Sequence, residues 1–116
     1  MMNQETKQRW IEALRSGEYE QGQECLHNHN ENTFCCLGVL CDLHAKETNT
    51  NWVNYPEECC PSDYLGDDLS LPNKVVEWSG LEDHDPLINR TLSLAGYNDK
   101  EGYSFDQLAD LIEKHL

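Results

Sequence analysis

The amino-acid sequence predicts a mainly α (α+β) fold: a compact single domain of about four to five short helices around a buried central helix, with a small irregular β element. Three features point there. The 116 residues are one domain's length and 38% of them are apolar, enough for a modest core. The run Phe34–Leu43 is almost free of polar side chains, so a helix there has no solvated face. Near both ends apolar residues recur at helical spacing, and the polar tracts between are punctuated by proline and glycine.

From Asn3 to Ser16 helix formers dominate, Trp10, Ile11 and Leu14 share one face, and Gly17 follows where a left-handed cap sits. Glu18 to Asn32 is polar and reads as a loop with at most a short strand. Thr33 is placed to cap the central helix, which then begins at Phe34. Gly38 inside it costs about 1 kcal/mol relative to alanine, which implies that another element crosses closely there. Lys46 to Asn51 is turn-like, Trp52 to Tyr55 fits one short strand, and a second fits near Tyr64 and Leu65. Pro72 suits the first turn of a third helix with Val75, Val76 and Trp78 on its apolar side and Gly80 at its end. Residues 86 to 95 stay ambiguous: Asp85 and Pro86 resemble a helix start, while Thr91 to Leu94 alternate like a strand. Ser104 and Gln107 match a capping box, and Phe105, Leu108, Ala109, Ile112 and Leu116 form the stripe of a terminal amphipathic helix.

Charge narrows the function. Eight basic side chains against 22 acidic ones leave a net charge of −14 and a pI near 4.5. Such a field repels phosphate backbones and anionic lipid, which argues against direct nucleic-acid or membrane-surface binding and favours basic partners. Met1 to Arg9 carries no secretory pattern, and the longest apolar run is about half the roughly 20 residues of a spanning helix. A cytoplasmic protein without a membrane partner is expected, with Cys25, Cys35, Cys36, Cys41, Cys59 and Cys60 as reduced thiols.

No phosphate loop, dinucleotide fingerprint, nucleophile elbow or paired-histidine zinc helix is present, and no cofactor is implied. Cys25, His27 and His29 alternate, so an extended segment would project all three to one side, a donor set that suits zinc; with no two-residue Cys spacing beside them they read as a polar surface loop, and no metal is expected. Cys35 and Cys36 stand at a helix amino terminus, where a thiol is activated, but among Phe34, Leu37 and Val39 they read as small buried hydrophobes. Glu57 and Glu58 would hold Cys59 and Cys60 protonated by repulsion. The carboxylates at Glu82, Asp83 and Asp85, and along Asp99, Glu101, Asp106, Asp110 and Glu113, are either a solvated face or a mimic of duplex phosphates.

Trp10, Leu14-Arg15-Ser16-Gly17, Tyr19 and Gln21, then Phe34-Cys35-Cys36-Leu37-Gly38-Val39-Leu40-Cys41-Asp42-Leu43, Leu71-Pro72, Trp78, Asn98-Asp99 and Ser104-Phe105 together resemble a family of small proteins encoded largely by bacteriophages and prophages. The resemblance covers nearly the whole chain and implies phage origin and residence in the host cytoplasm. In the family the Asn-Asp pair usually follows a leucine; here it follows Tyr97. Within the matched positions, Arg15 offers a fork for phosphate or carboxylate, Ser16 a hydroxyl, Tyr19 a stacking surface, Gln21 and Asn98 amides, and Asp99 an acceptor for a ribose hydroxyl. Gathered together they would make a nucleotide-sized ligand site; kept apart they are helix-end, turn and core-edge groups. The expectation is a non-enzymatic binding protein and homo-oligomer that counters antiphage defence or redirects the host by sequestering a nucleotide immune signal or a host defence protein. Alternatives are an acidic DNA mimic that inhibits a DNA-binding host enzyme, and a small hydrolase using Cys36 or His29.

Overall fold

Helix α1, Gln4–Arg15, starts where the Asn3 side chain accepts a hydrogen bond from the Thr6 amide at 3.0 Å. It ends at Ser16, and Gly17 leaves it at φ 78°. The structure is a computed structural model and describes residues 2–56 and 59–116. Trp10, Ile11 and Leu14 are buried on one face, as their spacing predicts, and the helix packs mainly along the C-terminal helix.

The polar tract that follows holds two short strands, β1 (Glu20–Gln21) and β2 (His27–Asn28), one more than expected. Both pair with β3 (Thr33–Phe34), β1 in parallel and β2 antiparallel, giving the order β1-β3-β2. That pairing corrects the start of the central helix. Thr33 and Phe34 are drawn into the sheet, so the cap falls to Cys35, whose Sγ accepts from the Gly38 amide at 3.4 Å.

Helix α2, Cys36–Thr48, is the buried centre of the fold, with Leu37, Val39, Leu40 and Cys41 fully enclosed. It continues through Lys46, where a turn is expected, because its exposed side chains there face water while His44 and Ala45 remain inside. Asn49 terminates it in the left-handed conformation, φ 56°. The close crossing implied by Gly38 is present: a Cβ on Gly38 would lie 1.7 Å from the Leu26 carbonyl oxygen. The chain at Leu26 is held there by the Cys35 amide, which donates to that carbonyl at 3.2 Å, and by its own amide, which donates to the Asp68 carbonyl at 2.8 Å.

Strands β4 (Val53–Asn54) and β5 (Ser62–Asp63) form an antiparallel pair, the second two residues earlier than the sequence suggests. Helix α3, Asn73–Ser79, follows Pro72, which occupies the cap position itself, and Gly80 closes the helix at φ 79°. Residues 86 to 93 resolve as neither helix nor strand. The Asn89 side chain accepts from the Thr91 and Leu92 amides, a turn that folds the segment back until the Leu94 amide donates to the Pro86 carbonyl at 2.8 Å. Helix α4, Leu94–Asp99, then starts on Ser93, and helix α5, Phe105–His115, starts on the full capping box of Ser104 and Gln107. Phe105, Leu108, Ala109 and Ile112 of α5 are buried against α1 and α4.

The thiol expectation needs one correction. Cys25 and Cys60 form a disulfide, because the crossing at Leu26 and the β4–β5 turn lie side by side, a proximity that a separation of 35 residues does not announce. Cys35, Cys36 and Cys41 are free and buried, and Cys59 is free and exposed.

Candidate functional site

The six polar residues singled out in the sequence fall into three groups. Arg15 and Ser16 close α1. The Ser16 hydroxyl donates to the Ala13 carbonyl at 2.7 Å and accepts from the Glu18 amide, so it completes the helix end. The Arg15 guanidinium reaches across to α5 and donates to Asp110 and Glu113, whose hydrogen bonds raise its pKa. Its Nη2 is therefore engaged by carboxylates of its own chain.

Tyr19 belongs to a second group. Its hydroxyl donates to Asp42 Oδ2 at 2.6 Å and accepts from Lys46 Nζ at 3.1 Å. Burial and then the bond to Asp42 push the phenol up to about 12, so it stays protonated. Asp42 also accepts from Trp52 Nε1 at 3.1 Å and pairs with Lys46 at 3.4 Å. The Tyr19 ring meets the edge of Phe34, which stacks on His27, and both rings touch Trp52. Asp42 and Lys46 were missed as partners of Tyr19; the signal was a carboxylate inside an apolar run with a lysine four residues on.

Gln21, Asn98 and Asp99 form the third group, a seam beneath the start of α2. Asn98 is fully buried. Its Oδ1 accepts from Gln21 Nε2 at 2.9 Å, and its Nδ2 donates to the Gly22 carbonyl at 3.0 Å and to Asp99 Oδ1 at 2.7 Å. Gln21 also donates to the Tyr103 carbonyl, and Asp99 accepts from the Glu24 amide. These bonds sew the β1–β2 region to α4 and to the loop before α5. Four of the clefts lined by described residues, of about 230 to 390 Å³, take in none of Arg15, Ser16, Tyr19, Gln21, Asn98 and Asp99.

The candidate reactive groups are likewise engaged. Burial raises the Cys35 thiol to about 12 and places Cys36 and Cys41 well above the ordinary thiol range, the opposite of activation. His27 donates from Nδ1 to the Thr33 carbonyl at 2.9 Å and lies parallel to Phe34; burial lowers its pKa. His29 donates from Nε2 to the Tyr55 carbonyl at 2.9 Å. With Cys25 in a disulfide, the alternating Cys25, His27 and His29 set lacks its thiolate, and among the described residues no three His, Cys, Asp or Glu side chains are grouped to hold a metal. Glu57 and Glu58, expected to act on Cys59 and Cys60, lie outside the described residues.

Carboxylates define the exterior instead. Asp106, Asp110 and Glu113 share the outer face of α5, the latter two with side chains 72% and 64% exposed, and Glu82, Asp83 and Asp85 follow α3. Among the described residues no helix is long and apolar enough to cross a membrane.

Fold and surface together define a small, acidic, helix-dominated α+β protein with Cys35, Cys36 and Cys41 inside. The chain belongs to the family described as a domain of unknown function, DUF8296, which matches residues 2–116. No curated protein and no solved structure matches it.

Proposed function

We propose that this protein acts by binding, without transforming what it holds, and that its target is a protein with a basic surface in a host defence or regulatory system. One observation carries the reading: the thiols of Cys35, Cys36 and Cys41 are buried and the imidazoles of His27 and His29 are hydrogen-bonded, whereas Asp106, Asp110 and Glu113 stand in water on a chain of net charge −14. A surface of that kind accelerates encounter with basic partners and repels nucleic acid. The resemblance to phage-encoded proteins supplies the setting, a viral product acting in the host cytoplasm against an antiphage system. A DNA-binding enzyme that offers its groove to phosphates is one target of this chemistry. Capture of a nucleotide signal is the weaker form, because Arg15, Gln21, Asn98 and Asp99 already bond to the chain itself.

The test is expression in a bacterium that carries a defined defence system, with phage plaquing as the readout. Wild type should restore plaquing, and a triple variant with Asp106→Asn, Asp110→Asn and Glu113→Gln should restore less. Equal rescue by the neutralised variant, or turnover of a nucleotide by purified protein that ends with Cys36→Ser or His29→Ala, would overturn the reading.

A further inference from the structure

The largest of the four clefts, about 390 Å³, opens between the end of α3, the loop that follows it and the end of α5. Its size falls within the roughly 300–1,000 Å³ of ligand-binding clefts. Leu81, Pro86, Leu87 and Leu116 line it together with Glu82, Asp83 and His115. Leu81 is buried as the floor, but Leu87 is 61% exposed, more than any other large hydrophobic side chain among the described residues.

A leucine held over an apolar cleft leaves surface in water that a partner can cover, at roughly 25 cal/mol per Å² removed. Scattered exposed leucines need no explanation, but this one stands over a concavity and beside two carboxylates. The pairing sets the chemistry of what fits. An apolar group fills the cleft, and a cation beside it meets Asp83; anionic lipid or nucleotide is repelled by the same carboxylate.

We infer that this cleft receives an apolar side chain of a protein partner, with lysine or arginine flanking it in the partner's chain. The inference rests on the protein-binding reading above and adds the anchor point that the acidic surface alone does not specify. Buried apolar anchors dominate binding energy, and rim charges set rate and selectivity.

Isotope-labelled full chain titrated with a capped synthetic peptide, one central leucine flanked by arginines in a glycine-serine background, tests this by NMR. Amide shifts are expected at residues 80 to 87 and 115 to 116, weakened as salt shortens the screening length to about 3 Å near 1 M. Serine for leucine, or glutamate for arginine, in the peptide should abolish them. Leu87→Asp in the protein should weaken binding by about tenfold or more while the thermal melt stays at the wild-type temperature, since the side chain is largely in solvent. Absence of shifts at the cleft, or shifts spread over all carboxylates regardless of the leucine, overturns the inference. If the peptide seats as expected while plaquing is not restored, the host-target reading fails and the cleft stands. If plaquing is restored equally by Leu87→Asp, the cleft fails and the reading stands.

Discussion

The seam beneath the start of α2 and the outer face of α5 are both made of hydrogen-bonded polar side chains, yet one is sealed and the other lies in water. Asn98 is wholly buried and every polar atom of its amide is paired, whereas the Asp110 side chain beside Arg15 is 72% exposed. In the seam a lost partner leaves a donor or acceptor with no solvent to replace it. On the outer face water replaces it at once, and salt screens what remains. The same residue types thus hold the fold together in one place and form a binding exterior in the other.

The sharpest way to break the sealed side is Gly38→Ala. Alanine ordinarily favours a helix by about 1 kcal/mol over glycine. Here the methyl would stand 1.7 Å from the Leu26 carbonyl oxygen, against backbone rather than a side chain that can swing away. Overpacking of this kind costs about 3 kcal/mol or more, so the urea midpoint should drop sharply. A midpoint that rises would show that Leu26 does not cross the helix.

Asn98→Ala is the next largest test. It leaves the Gly22 carbonyl and part of the Gln21 amide without their partner, and equilibrium denaturation should register a loss of about 2 kcal/mol. A loss near zero would reopen Asn98 as a residue kept for a ligand.

These two positions also show what is readable in a sequence. Gly38 could be interpreted from the chain alone, because a glycine in an otherwise apolar helix has few explanations besides close approach. The capping box of Ser104 and Gln107 and the stripes of α1 and α5 were readable for the same reason: their signals lie within four residues. The start of α2 was misplaced because Thr33 has a good cap side chain, and only pairing with Glu20 and Asn28 takes it into a sheet. The site was less legible still. Nothing within the sequence separates an Asn98 that meets a ligand from one that meets Gln21, 77 residues away. The Cys25–Cys60 link and the Asp42 partnership with Tyr19 are equally non-local facts.

A smaller effect should appear with pH. Burial lowers the pKa of His27 from its ordinary 6.5, so the unfolded chain takes up the proton first as acid is added. The stability from neutral His27 is therefore complete above about 6.5 and is lost as pH falls through the lower folded value. Burial lowers His44, bonded to Tyr64, in the same direction, so both contribute to the wild-type slope. His27→Phe keeps an aromatic ring against Phe34 and Trp52 and removes one titration; the Nδ1 bond to the Thr33 carbonyl is lost as well, at both pH values, so the fall between them reports the titration. Its urea midpoint should fall less between neutral pH and pH about 5.5 than that of wild type. Equal falls would assign the whole dependence to His44 and the carboxylates.

Arg15→Ala should change stability least, and that is what makes it informative about the exposed side. The guanidinium is held by Asp110 and Glu113, on a face where solvent competes for each bond, so the urea midpoint should stay within error of wild type. Removing the cation paired with those carboxylates makes the α5 face more negative. If that face steers a basic partner, association should become faster at low salt and the gain should vanish at high salt, with dissociation unchanged. Stopped-flow mixing with the target identified by the plaquing assay measures this directly. A slower association would mean that Arg15 itself touches the partner, and the face would then read as a mixed-charge contact instead of an acidic one.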